Sequence, residues 1–199
     1  MNVNAASLAG LREAIQNRPS RVYGWQNDPL IQCEIAEKVI SSQVIAVYVH
    51  ASQTMATVTQ GNQTFPVAHF RVFLEIPPTR ANTFEDTITE SVELNNWAHQ
   101  GLTTSTSLKH CFYAFSTSRQ SVGCERIPML TRVTVKDVLD YLFTRMRRQY
   151  YTLDTVTGSG CRFWCQTVLK DMASMGCIAA DAQSNTELLA QKITQTHPG

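Results

Sequence analysis

The residue best suited to covalent chemistry is Cys161, within Thr157-Gly-Ser-Gly-Cys-Arg-Phe-Trp-Cys165. A glycine-rich turn delivers it to the first turn of an apolar helix. There, unpaired backbone N–H groups and the positive end of the helix dipole favour a thiolate. Such positions pull a cysteine pKa below its free value of about 8.5, and a thiolate becomes a working nucleophile when a base lies within hydrogen-bond reach. Cys165, one turn further in, lacks the terminal effect and is expected to pack against Val168 and Leu169. Arg162 would lower the thiol pKa further or clamp a carboxylate. With Ser159 and Trp164 it is a candidate for contacting substrate. Glycine turns that open helices also bind phosphate, but GSGC lacks the lysine of a P-loop and follows no clear strand. The plainer alternative is a glycine turn leading into a core helix with inert thiols.

Five histidines are available as the base. His197 lies in the tail, His99 and His110 flank polar loops, and His50 closes a strand. His69 differs. It stands near the start of the clearest strand, Val67 to Ile76, on the face opposite Phe70, Val72 and Leu74. A nucleophile and its base are close in space, not in sequence, so His69 is the expected partner of Cys161. A structural or surface histidine is the competing reading.

These side chains must be positioned by a scaffold, and the apolar periodicity outlines one. Ala5 to Ile15 and Pro29 to Ser41 read as helices, the second with Asp28 as N-cap and Pro29 at its first position. Val44–Val49 reads as a buried strand, 51–64 with its Gly61-Asn62 as a turn or loop, and Val67–Ile76 as a strand ended by Pro77-Pro78. Thr89–Asn95 and His110–Ser116 read as further strands. The last third is helical, with a capping box at Thr134–Asp137, the Cys161–Met172 helix and a terminal helix opened by Ser184–Glu187. The expected class is α+β: a mostly antiparallel sheet packed against helices. It forms one domain over 1–199, with an N-terminal helical segment at 1–42, sheet at 43–130 and helices at 131–199.

The 199 residues are 43% hydrophobic and carry a net charge of +1, which fits a folded chain and gives no electrostatic case for nucleic acid. No apolar run approaches the length of a membrane span, and no secretory signal is evident. A cytoplasmic location and six cysteines held mostly as thiols are therefore expected. No zinc, EF-hand or serine-hydrolase motif occurs, so no metal or cofactor is expected. Arg145, Arg147 and Arg148 fit a helix C-terminus without any ligand, the alternative being contact with an anionic substrate or an acidic partner.

A histidine opening a hydrophobic strand (Ala68-His69-Phe70-Arg71-Val72-Phe73-Leu74), a partner strand, and much later a cysteine opening a helix resemble the circularly permuted papain-like fold. That group includes lecithin:retinol acyltransferase-like and NlpC-type proteins. Val133 to Met172, with its Gly-Cys-Arg-Phe-Trp, also resembles a set of uncharacterised fungal proteins in which a His-Trp-like strand precedes a Gly-Cys-Arg-[FYW]-Trp helix. The resemblance covers residues 44 to 178. It implies Cys161 as nucleophile, His69 as base, and Asn95 or Glu93 on the following strand as the residue that orients the imidazole. Phe70 stands where the fungal set often has Trp. The implied activity is acyl transfer or amide or ester hydrolysis on a small-molecule or peptide-like substrate. A non-catalytic binding module on the same scaffold remains an alternative. So does an enzyme of fungal specialised metabolism, a cyclase or isomerase working without a thioester.

Overall fold

The computed structural model describes residues 24–60, 62–78, 90–98, 104–112, 120–151 and 160–196. The helix expected over Ala5–Ile15 lies outside them. The described residues form a six-stranded sheet with helices packed on one face, an α+β architecture. Its strands are β1 (Ile31–Glu34), β2 (Ala46–Gln60), β3 (Gln63–Ile76), β4 (Glu90–Ala98), β5 (Thr104–Cys111) and β6 (Ser121–Pro128), in the spatial order β1-β5-β4-β3-β2-β6. Only β1 and β5 run parallel; the other neighbours are antiparallel.

β1 corrects the helix expected from Pro29 to Ser41, of which a single turn remains, α1 (Glu37–Ile40). The reason lies in Asp28. Its carboxylate accepts the Leu30 N–H at 2.9 Å, the Tyr150 hydroxyl at 2.7 Å and the Gln149 side-chain amide at 3.1 Å. It pins a turn to a distant segment instead of capping a helix, and the β-branched Ile31 then enters the sheet.

Within residues 51–64, expected as a turn or loop, 51–60 and 63–64 are strand. β2 and β3 stay paired from Ala46↔Glu75 to Gln60↔Gln63, with one irregularity between Gln53 and Thr57. The Thr-rich composition looked like a loop because it is polar, yet β-branched threonines suit an exposed two-stranded ribbon. Similarly, β5 begins at Thr104, ahead of the expected His110. Its outward-looking run of Thr and Ser is partly internal: Thr104 and Thr106 are buried, and Thr106 Oγ1 accepts from the Asn96 amide at 3.2 Å.

Alternation sorts the sheet into two faces. Val47, Val49 and Ala51 of β2, Phe70, Val72, Leu74 and Ile76 of β3, and Val92 and Leu94 of β4 bury into the helix-side core. The opposite face carries His50, Ser52, His69, Arg71 and Glu93, with Phe73 and Cys111 in a small second cluster. Helix α2 (Val135–Leu139) has the expected capping box: Thr134 Oγ1 accepts the Asp137 N–H while the Asp137 carboxylate accepts the Thr134 N–H. It runs on as a π-helical turn through Asp140–Arg145. Helices α3 (Gly160–Ser174) and α4 (Ser184–Thr196) cover the sheet. Helix α4 lies so close to β6 that a Cβ built on Gly123 would stand 2.4 Å from a Leu189 methyl. Among the described residues, no helix is long and apolar enough to cross a membrane.

Candidate active site

The site forms where β3 and β4 part. Their register runs from Ile76↔Glu90 to Val72↔Leu94 and stops, while β4 stays with β5 as far as Ala98↔Thr104. Helix α3 packs on both strands at this side. The Phe70 N–H donates to Cys161 Sγ at 3.5 Å, in the first turn of α3. Backbone bond lengths then place the sulfur within about 6 Å of the His69 Cα.

His69 Nε2 and Asn95 Oδ1 are 2.7 Å apart across the same parting. An amide oxygen only accepts, so Nε2 carries the proton and the neutral ring keeps its lone pair on Nδ1. Of the two residues expected as orienters, Asn95 is the one hydrogen-bonded to His69. Glu93 is occupied elsewhere, accepting from Arg71 Nη1 at 3.1 Å. Among the described residues, no hydrogen bond joins the sulfur directly to the imidazole. The structure therefore brings Cys161 to the peptide that follows His69, and brings His69 to Asn95.

Electrostatics correct one expectation. Burial pushes the Cys161 thiol up, and this outweighs the amides of Phe70, Arg162 and Cys161 itself together with the nearby Arg162 charge, all of which lower it. Only 8% of the residue is exposed, and stripping water from a thiolate costs more than one helix terminus returns. His69 is shifted downward, chiefly by burial and further by Arg71, against the raising effects of Asn95 and Glu93. The resting pair is thus a neutral thiol and a neutral imidazole. Cys165 is fully buried in the core, with its thiol raised far above the ordinary range by burial.

The residues expected to contact substrate fare differently. Trp164 is fully buried and its indole N–H donates to the Arg148 carbonyl at 3.2 Å. It belongs to the core and has no surface to offer. Arg162 lays its guanidinium over Phe163, 4.9 Å from the ring centre, and its buried Nε has no hydrogen-bond partner among the described residues. Ser159 lies outside the described residues.

His50, expected to close a strand, sits inside β2, fully buried, 3.0 Å from Ser121 Oγ. His110 pairs with Glu90 at 3.1 Å. His99 and His197 fall outside the described residues. Arg148 grips Asp171 through two nitrogens, while Arg145 and Arg147 lie over Tyr141 and Tyr150.

Beside His69 an open cleft of about 500 Å³ is lined by Ser52, Gln53, Thr54, Met55, His69, Arg71 and Gln120. The irregularity in β2 builds one wall, where Thr54 Oγ1 donates to the Val67 carbonyl at 2.7 Å and Met55 is fully exposed. Sequence reading missed Ser52 because 51–64 was assigned to a loop. It also passed over Arg71, although the period of two already put Arg71 on the His69 face.

The α+β sheet thus carries a hydrogen-bonded His69–Asn95 pair on one face and Cys161 against the Phe70 amide on the helix side. Residues 45–199 match the family model of a domain of unknown function, DUF7770, and the chain belongs to that family. No curated protein and no solved structure matches it.

Proposed function

We propose that the protein is a thiol-dependent acyl transferase or amide or ester hydrolase, with Cys161 as nucleophile, His69 as general base and Asn95 holding the ring. The observation that carries this reading is the 2.7 Å His69–Asn95 bond beside a helix-opening cysteine. It fixes the tautomer in which the unprotonated nitrogen is Nδ1. As the sulfur bonds to the substrate carbonyl carbon, its proton passes to Nδ1 and the carbonyl π electrons move onto oxygen. The Cys161 and Arg162 amides that face the sulfur supply donors near that developing charge. Collapse breaks the carbonyl bond to the leaving group, which takes the proton from the imidazolium. Water or another acceptor then attacks the thioester, again giving its proton to His69, and the thiol returns.

The chain order of histidine, asparagine and cysteine fits the circularly permuted papain-like relationship, which we include in the proposal. All six cysteines are thiols, which suits a cytoplasmic setting and a small-molecule or peptide-like substrate. A non-catalytic binding module is the second reading. It is favoured by the low exposure of Cys161 and by the cleft lining, to which Cys161 does not belong.

Both readings meet in one experiment. A Cys33→Ser background removes the exposed competing thiol. The protein is treated with p-nitrophenyl acetate and followed by intact and peptide mass. Catalysis predicts an acetyl group on Cys161, formed about 100-fold or more slowly in His69→Ala, within the usual range for general-base loss. Acetylation that spreads over the cysteines and ignores the His69 substitution refutes the enzyme and leaves the binding module.

A further inference from the structure

Among the described residues, Arg71 is the one charged side chain lining the cleft, and no carboxylate lines it. The guanidinium is held from two sides: Nη1 donates to Glu93 Oε2 at 3.1 Å and Nη2 donates to Ser52 Oγ at 3.2 Å. Its Nε is buried with no partner. Glu93, almost fully buried, is not part of the cleft wall, so it fixes the plane of the guanidinium without closing the cleft to an anion. Ser52 accepts from Arg71, which leaves the serine proton free to donate to a ligand. Two donors, one of them cationic, therefore converge on the same side of the cleft.

We propose that Arg71 and Ser52 form a carboxylate subsite, and that the cleft takes an acyl amide bearing a free α-carboxylate: a peptide carboxy-terminus or an N-acyl amino acid. Planar, fixed guanidinium groups suit carboxylates. Spacing supports the size of the ligand. Arg71 and His69 are two residues apart on one strand face, about 7 Å along the strand, which leaves room for roughly one amino-acid unit between a carboxylate at Arg71 and a carbonyl beside the His69 ring. Uncharged Gln53, Thr54 and Gln120 suit the amide portion, and exposed Met55 suits an aliphatic side chain. The carboxylate clamp thus moves to Arg71 from Arg162, whose guanidinium stacks on Phe163. The inference deepens the acyl-transfer reading, on which it rests for the fate of the ligand; binding alone is measured separately.

The test uses the 199-residue chain carrying Cys161→Ser, which removes the proposed nucleophile, and two probes, N-acetyl-alanyl-alanine and its carboxamide. Calorimetric titration is expected to show the acid binding about tenfold or more tightly than the amide, a difference of about 1.4 kcal/mol. Arg71→Gln should erase that preference. Ser52→Ala, which keeps the Arg71–Glu93 pair and so the fold, should reduce it several-fold. Equal affinities, no binding by either probe, or a preference that survives Ser52→Ala unchanged would overturn the subsite. Cys161 acetylation in the previous experiment stands or falls independently of these outcomes.

Discussion

Asn95→Ala isolates what the His69–Asn95 bond contributes. The bond is 2.7 Å long and joins a mostly buried ring to a half-buried amide on the next strand. Removing the oxygen deletes a net stabilisation of about 0.5–1.5 kcal/mol, and the stranded Nε2–H brings the total loss to about 1–3 kcal/mol. The same oxygen raises the His69 pKa against burial and Arg71, so the substitution lowers that pKa further. Asn95→Asp, which puts an anion in the same place, raises it. His69 is therefore expected to titrate in the order Ala below Asn below Asp when its ring proton is followed by NMR against pH. Urea unfolding gives the stability loss. Because the folded pKa lies below the unfolded one, the stability that His69 contributes is present above pH 6.5 and is lost as pH falls through its folded pKa. In Asn95→Ala that loss continues to lower pH. An unchanged His69 titration in both variants would refute the view that Asn95 governs the imidazole.

Two further outcomes follow from buried charges. Burial and the neighbouring Arg71 lower the His50 pKa to about 4, so the unfolded chain takes up a proton between pH 6.5 and about 4 that the folded chain refuses. Stability should fall by about 3 kcal/mol across that window, and His50→Gln should flatten the decline in a denaturation series; parallel curves would count against it. Arg148→Ala leaves Asp171, 4% exposed, without its bidentate partner, and should cost about 3–5 kcal/mol. A loss below 1 kcal/mol by urea unfolding would show the pair to be dispensable.

Much of this site is legible in the sequence because two periodicities survive folding. The spacing of two puts His69 opposite Phe70, and the glycine-to-apolar transition puts Cys161 at a helix start, as found. Place on the next strand admits both Asn95 and Glu93, and only their partners, His69 and Arg71, tell them apart. What escapes sequence reading depends on distant partners. Asp28 resembles a helix cap until Gln149 and Tyr150 claim its carboxylate. Trp164 resembles a substrate contact until its indole meets the Arg148 carbonyl in the core. The thiol acidity is misjudged for a related reason: the helix terminus is local and visible, whereas desolvation comes from chain far away.

The parting of β3 and β4 lets the sulfur reach the backbone beside His69, although the Cys161 and His69 side chains belong to opposite layers. Alternation turns His69 away from the helices that carry Cys161, so in a continuous sheet the backbone would separate them. The β3–β4 pairing stops at Val72↔Leu94, which frees the Phe70 N–H from the ladder. A buried amide needs an acceptor, and Cys161 Sγ is the one it finds. The His69–Asn95 bond ties the two strands across the gap by a side-chain route. One unfinished ladder thus admits the helix start to the unpaired side of β3 and leaves the gap that the His69–Asn95 bond spans. Both groups stay uncharged at rest, since burial raises the thiol and lowers the imidazole. In the proposed reaction, then, proton transfer must accompany the arrival of a carbonyl that can accept the sulfur's electrons.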